Sequence, residues 1–241
     1  MKQGADNNYY LDMQAKMIKD FARMFKCTRR SLKRHFDEAK IAEIHETCER
    51  EYSGLIPQIP YIGGKQNSGT YNLVGGAALL AIIRSLEGEG LGKHEIGRVV
   101  YETMETLFNS KPRLLCRLTG KYMLSSYFIK KRRKQTERSL LREYPEGFVT
   151  RFVEADGANH DFGLDTMECA ICKFYKKQGA EKYLPYLCLG DYPMFQALGI
   201  GFTRTQTIGN GADKCDFRFK KGGKTAKGWP PEELEEWTGN D

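Results

Sequence analysis

The amino-acid sequence predicts an α+β protein, in which a helical N-terminal half is packed with a four-stranded antiparallel sheet built from two hairpins. Apolar residues recur at three- and four-residue spacing through the first 145 residues, whereas the later part contains short segments rich in aromatic and β-branched residues. We expect a single α+β domain over 1–221, with a helical part (1–145) and a sheet-containing part (146–221). A loosely ordered C-terminal tail is expected over 222–241, because that segment is rich in Gly, Pro and charge.

The helical half is interrupted by turn-forming residues that mark the ends of the helices. Thr28 is placed to cap the second helix, and 144-YPEG-147 closes the helical half. Two prolines and several glycines in 53–72 predict a shaped loop, where binding residues are often found. The predicted helices lie near 8–26, 29–51, 71–87, 93–109 and 112–142, the last divided around 119–121.

The second half changes to the pattern of strands. The glycines and asparagine of 209-GNGA-212 predict a tight hairpin turn, because these residues accept a positive φ. Alternation along the last strand places Asp216 and Arg218 on one face and Cys215 on the other. The predicted strands are 148–156, 161–170, 201–208 and 213–220, with helices near 171–179 and 181–197 between the two hairpins.

The charge and the apolar content of the sequence limit the class of protein that it can encode. The 241 residues are 40% hydrophobic and 29% charged, which is typical of a globular chain, and the net charge is +7. The longest apolar run, 73–83, is too short to cross a bilayer, and the N-terminus lacks a signal-peptide pattern, so a cytoplasmic location is expected. The basic cluster in 129–138 is interpreted as a solvated helix face. We therefore expect no nucleic-acid or membrane partner, while the positive field suits a small anionic substrate.

Four of the seven cysteines, Cys169, Cys172, Cys188 and Cys215, lie in the second half of the chain. A zinc site is disfavoured because structural zinc sites use two close cysteine pairs and the second pair is missing. Disulfides are disfavoured in a reducing compartment. No metal and no cofactor is therefore predicted. Two readings stay open for these thiols: small core residues, or nucleophiles such as Cys172 in the first turn of a helix.

Charged residues inside the predicted strands also leave two readings open. Glu168, Arg204, Asp216 and Arg218 either lie on a solvated sheet face or form a paired polar site, because an unpaired buried charge is costly. The residues alone do not select a reaction.

Three phrases of the sequence resemble the L-2-amino-thiazoline-4-carboxylic acid hydrolase family. They are 161-DFGLDTMECAICKFYKKQGAEKYLPYLCLGD-191, 199-GIGFTRTQTIGNGADKCDFRFK-220 and 60-PYIGGKQN-67, so the likeness spans about residues 56–221. The resemblance implies hydrolytic opening of the cyclic isothiourea 2-aminothiazoline-4-carboxylate to N-carbamoyl-cysteine, or of a related cyclic amidine. A different class, a non-catalytic small-molecule-binding or sensor domain with a pocket between helices and sheet, is the alternative.

The resemblance also implies a set of site residues. Cys188 or Cys172 is the expected nucleophile if the route is covalent, and an activated water is the alternative attacking group. A carboxylate would hold the amidinium group, and an arginine would hold the substrate carboxylate. The expected catalytic residues are Cys188, Cys172, Asp191, Glu168 and Asp216, and the expected substrate-binding residues are Arg204, Arg218, Thr205, Cys215, Asn67 and Gly64.

Overall fold

A computed structural model describes residues 8–238 of the chain and confirms the predicted α+β fold. Most of the helical residues precede the sheet, and three short helices lie between the two pairs of strands. The helices are α1 (Tyr9–Asp12), α2 (Gln14–Leu32), α3 (Glu38–Leu55), α4 (Gly69–Gly88), α5 (Lys93–Asn109), α6 (Arg113–Met123), α7 (Ser126–Leu140), α8 (Ala170–Lys177), α9 (Leu184–Cys188) and α10 (Asp191–Leu198).

Two predicted helix boundaries were wrong. Helix α2 continues through Thr28, whose buried hydroxyl accepts a hydrogen bond from Thr103 at 3.1 Å, so tertiary contact replaces the expected cap. The break falls before Asp37, which caps α3 by accepting the backbone N–H of Lys40 at 2.8 Å. Residues 112–142 divide at Ser125, the N-cap of α7, rather than at 119–121.

Helix α4 is the central helix of the N-terminal core. Its length and composition would allow it to cross a membrane, but 67% of its most apolar window is buried, as in a core helix. Gly76 on α4 lies against Ile171 of α8 and accepts a hydrogen bond from the Tyr175 hydroxyl at 2.9 Å. A side chain at Gly76 would crowd Ile171, so the glycine permits the close contact that positions α8.

The sheet is antiparallel throughout, with the order β1-β2-β4-β3, and it confirms the predicted four strands. Asp165 of β2 is opposite Asp216 of β4, and Thr166 is opposite Cys215. Alternation therefore gives one polar sheet face, with Asp165, Asp216 and Arg218, and one largely apolar face packed on helices. The strands are β1 (Val149–Val153), β2 (Phe162–Glu168), β3 (Gly201–Thr203) and β4 (Cys215–Lys220).

The predicted hairpin of the last two strands is confirmed, but strand β3 is shorter and the connection to β4 is longer than predicted. After Thr203 the chain leaves the ladder, because the Asp216 carboxylate accepts the backbone N–H groups of Thr205 and Gln206, both at 3.0 Å. Residues 204–214 form a longer connection that contains a 3-10 turn at Ile208–Asn210, and only Gly211 has a positive φ, +89°.

The buried apolar residues form two clusters that meet near α8 and α9. The first joins α2, α3, α4, α5 and α8. The second joins the apolar sheet face to α9, α10 and the C-terminal segment through Leu234. That segment was expected to be loosely ordered, yet its described part, to Thr238, buries Leu234 and Glu236, because Glu236 neutralises a buried arginine described below.

Candidate thiol and carboxylate site

The four cysteines of the second half converge where the two apolar clusters meet. Cys169 follows β2, Cys172 lies in the first turn of α8, Cys188 ends α9 and Cys215 begins β4. Their sulfur atoms are close enough for the charge on one to affect the pKa of another, and Asp191 acts on Cys169, Cys188 and Cys215 in the same way. Cys169, Cys172 and Cys188 are partly exposed residues, whereas Cys215 is buried.

Cys169 is the cysteine of this group that favours the thiolate. It occupies the N-cap position of α8 with extended backbone, φ −114° and ψ 119°. Its pKa is lowered, chiefly because the Cys172 thiol donates a hydrogen bond to it, with the backbone N–H groups of Cys172 and Ile171 adding to the effect against the opposing burial.

The other three thiols favour the protonated form. The pKa of Cys172 is raised because its proton is shared with Cys169 and because it is buried. Burial raises the pKa of Cys215 to about 12, although the backbone N–H of Ile208 donates to its sulfur at 3.3 Å. Burial also raises the pKa of Cys188 well above its usual value, against the opposing charge of Arg204. The expected nucleophiles, Cys188 and Cys172, are thus the poorer thiolates, and Cys172 is placed to activate its neighbour.

Asp191 supplies the carboxylate of the site. It is the first residue of α10, and its Oδ2 accepts a hydrogen bond from Arg204 Nη1 at 2.7 Å. Its side chain is 31% exposed. Burial raises the pKa of Asp191, although the Arg204 charge opposes this. A carboxyl group whose pKa is raised toward neutrality is suited to proton transfer.

Arg204 holds Asp191 in place from the interior. Its side chain has no exposed surface, and Nη2 donates to Glu236 Oε1 at 2.7 Å and to the Cys188 carbonyl at 3.0 Å. Its Nε also pairs with Glu236. The guanidinium carbon lies 5.1 Å from the centre of the Phe217 ring. Because these protein groups already occupy the guanidinium, we assign Arg204 to positioning Asp191 rather than to holding a substrate carboxylate.

Asp216 and Thr205 organise the connection beside the site. The Asp216 carboxylate accepts the Thr205 hydroxyl at 2.7 Å in addition to two backbone N–H groups. Asp216 is buried, and it fixes the path of the chain that carries Arg204 inward. Both side chains are therefore committed to the loop itself.

The remaining predicted site residues have partners elsewhere. Glu168 pairs with Lys173 and Arg142, and the Lys173 hydrogen bond is the main reason why the Glu168 pKa is lowered. Arg218 Nη1 donates to Asp165 at 2.9 Å on the sheet face opposite Cys215.

The loop that contains the predicted binding residues Gly64 and Asn67 is held by its own backbone. Asn67 donates to the Ile62 carbonyl at 2.6 Å and accepts the Gly69 N–H at 2.9 Å. Gly64 has φ +53° and lies against Tyr9, which leaves no room for a side chain. Among the contacts of residues 8–238, no hydrogen bond or ion pair joins Asn67 to the four cysteines.

The thiols do not form a metal site. Within the part of the chain that the structure describes, no group of three or more His, Cys, Asp or Glu side chains is arranged to hold a metal ion.

Two residues of the site were not among those predicted from the sequence. Cys169 lies one residue before α8, and a predicted strand reaching residue 170 hid its N-cap position. Glu236 lies in the segment expected to be loose, although Leu234 and Trp237 around it form an amphipathic pattern that signals docking.

The fold and the site together define an α+β protein with a partly exposed cysteine whose thiolate is favoured, beside a carboxylate held by a buried arginine. The model of the L-2-amino-thiazoline-4-carboxylic acid hydrolase family matches residues 71–219, which is more than half of the chain. The chain belongs to this family and is a protein of the hydrolase type for which the family is named. Comparisons with curated proteins and with solved structures found no match.

Proposed function

We propose that the protein is a hydrolase that opens a small cyclic amidine or isothiourea ring, as in conversion of 2-aminothiazoline-4-carboxylate to N-carbamoyl-cysteine. The observation that carries the proposal is the pairing of the Cys169 thiol, whose pKa is lowered by Cys172, with the partly exposed Asp191 carboxylate. A nucleophile and an acid–base group on separate elements, each oriented by a second residue, form the arrangement that thiol-dependent hydrolysis requires.

The first half-reaction forms a bond to sulfur and opens the ring. The Cys169 thiolate attacks the ring carbon between nitrogen and sulfur, while Asp191 as a carboxylate accepts a hydrogen bond from the amidinium. The bond from that carbon to the ring sulfur then breaks, and the departing sulfur takes the proton that the amidinium gives up, so it becomes a thiol and the nitrogen becomes neutral. The intermediate is an isothiourea on Cys169 that keeps every atom of the substrate.

The second half-reaction uses one water molecule. Asp191 accepts a proton from the water, whose oxygen bonds to the same carbon, and the bond to Cys169 breaks to regenerate the thiolate. The amidine becomes a urea, and the product carries one free thiol that the substrate lacked. No oxidant or reductant is needed, because the net change is the addition of water.

The experiment is an assay of thiol release. Purified protein is given 2-aminothiazoline-4-carboxylate, 2-aminothiazoline without the carboxylate, and a cyclic amidine that lacks sulfur, and products are read by thiol reagent and mass spectrometry. We expect thiol release from the first substrate and a product one water heavier. Cys169→Ala should abolish turnover and Asp191→Asn should strongly lower it, whereas Cys116→Ala, which alters a buried cysteine on α6, should leave it unchanged.

The same assay addresses the alternative of a non-catalytic ligand-binding domain. If the folded protein binds a cyclic amidine in calorimetry but releases no product from any of the three compounds, the hydrolase proposal is wrong. Mass spectrometry of the protein during turnover separates attack by sulfur from attack by water, because only the first gives an adduct one substrate heavier than the free chain.

A further inference from the structure

The positive charge of the protein is concentrated in one hairpin of helices that contains neither the four cysteines of the proposed site nor Asp191. Residues 111–142, here called the basic hairpin, comprise α6, α7 and their connections and contain eleven Lys and Arg against one Glu. Its net charge is +10, whereas the whole chain carries +7, so the rest of the chain carries −3. The excess charge that the sequence shows is therefore a property of this one surface.

An exposed apolar stripe runs along the same hairpin. Leu114 is 73% exposed and Leu118 is 53% exposed, and Leu115 and Tyr122 are also exposed. At about 100° per residue, these four side chains of α6 fall within an arc of roughly 100°. The Tyr122 ring lies 6.5 Å from that of Tyr127, which is 68% exposed, so the stripe continues into the first turn of α7.

Cations border this stripe on both helices. On α6, the three basic residues Arg113, Arg117 and Lys121 occupy the arc next to the leucines, while Cys116 and Gly120 face inward. On α7, Lys130, Lys131, Lys134 and Arg138 are exposed, and among residues 8–238 none of these four has an acidic partner within ion-pair distance. The opposite side of α7 is held on the protein by Thr136, which is buried, and by contacts with β1.

A basic cavity lies at the start of α6. It has a volume of about 320 Å³, and Lys111, Arg113 and Arg117 are among its lining residues. An exposed leucine stripe, a border of unpaired cations and a basic cavity are together the features of a helix that lies in a membrane interface, with acyl chains meeting the leucines and phosphates meeting the cations.

We propose that the basic hairpin docks the protein on a membrane surface that contains anionic phospholipid. Two other occupants fit less well. A second copy docked through the same face would place the unpaired cations of one hairpin against those of the other, and that repulsion opposes a symmetric dimer. The phosphates of a nucleic acid would contact the cations, but such contacts do not explain the exposed side chains of Leu114, Leu115 and Leu118.

This inference replaces the expectation from sequence that the basic cluster is only a solvated face with no membrane partner. That expectation rested on 129–138, which contains no interleaved aromatic residue. The leucines that change the interpretation lie on α6, and only the structure shows that they point outward and join Tyr127 beside the α7 lysines.

The test is flotation of the full chain with vesicles of phosphatidylcholine alone and of phosphatidylcholine mixed with phosphatidylglycerol, at low salt and at ~0.15 M ionic strength. We expect binding only to the mixed vesicles, and weaker binding at the higher salt. Lys130→Gln, Lys131→Gln and Lys134→Gln combined should weaken partitioning roughly 100-fold, at about fivefold for each charge. Leu114→Ser with Leu118→Ser should weaken it at least about tenfold.

Matched controls remove the same groups elsewhere. Lys19→Gln, Lys26→Gln and Lys65→Gln remove three exposed charges outside the hairpin, and Leu11→Ser with Tyr71→Ser removes two exposed apolar side chains. Neither control should change partitioning by more than about twofold, and all variants should keep the thermal unfolding midpoint of the parent chain.

Three results would overturn the proposal. One is the absence of flotation with anionic vesicles at low salt. Another is binding of duplex DNA or RNA that the lysine variant abolishes and the leucine variant leaves intact. The last is self-association in sedimentation velocity that is lost in Leu114→Ser with Leu118→Ser while vesicle binding is absent. Since none of these readouts involves thiol release, the inference can fail independently of the proposed reaction.

Discussion

The Arg204 guanidinium and the Glu236 carboxylate form an ion pair with no exposed side-chain surface on either partner, and Nη2 lies 2.7 Å from Oε1. The pair joins the connection after β3 to the C-terminal segment and leaves Nη1 to hold Asp191. It therefore links the stability of that segment to the position of the proposed acid–base group.

Removing one partner of this pair should destabilise the fold. Glu236→Gln leaves a buried guanidinium with Asp191 as its one acidic partner among residues 8–238, and we expect the free energy of unfolding to fall by about 3 kcal/mol in urea denaturation. Glu235→Gln, at the adjacent exposed position, should change it by less than about 0.5 kcal/mol. Equal effects of the two substitutions would show that the buried pair contributes little.

Cys169 should react with iodoacetamide faster than the other cysteines at neutral pH. Its pKa is lowered, so its thiolate fraction and its alkylation rate should reach a plateau at a lower pH than for an ordinary thiol of pKa about 8.5. Peptide mapping over a pH series measures the rate at each cysteine. First labelling at Cys188, whose pKa is raised, would contradict the assignment of the nucleophile.

Cys172 should act on the reaction through Cys169. Cys172→Ala removes the hydrogen bond that is the main cause of the lowered Cys169 pKa, so the pH profile of Cys169 alkylation should move to higher pH. Cys172→Ser keeps a donor at the same position and should restore most of the shift. A purely structural role would leave the profile unchanged in both variants.

The pKa of Asp191 should determine the pH below which kcat/KM decreases. As a general base it acts only when ionised, so kcat/KM should decrease as the pH falls through its pKa, which burial raises above the usual value of about 3.9. Asp191→Asn should lower kcat/KM by about 10² to 10⁴ and remove that decrease. Asp213→Asn, at an exposed position, provides the matched control.

Gly120 should be required for the contact between α6 and α10. A Cβ at this position would lie 2.1 Å from the Leu198 carbonyl oxygen, so Gly120→Ala should destabilise the fold by about 1–3 kcal/mol. Gly75→Ala in α4 meets no atom within 4 Å and should instead be neutral or stabilising by up to about 1 kcal/mol. Thermal unfolding of the two variants makes the comparison.

Much of the fold could be predicted because local patterns and tertiary packing agree there. Strand alternation correctly placed Asp216 and Arg218 on one face of the sheet and Cys215 on the other face. The spacing of apolar residues correctly indicated the helical half. Predictions failed where a side chain found a distant partner. Thr28 bonds to Thr103 instead of capping a helix, and Asp216 turns the chain after Thr203 instead of continuing the strand.

By itself, the sequence determined the class of fold, the family and the presence of four cysteines and a carboxylate in its second half. The tertiary structure decided which groups meet. Whether Cys169 favours the thiolate depends on its N-cap position and on Cys172, and whether Arg204 is free depends on Glu236, thirty-two residues away. Hydrogen bonding and burial set these properties. Both depend on contacts between residues that are distant in the chain, and a local sequence pattern does not show such contacts.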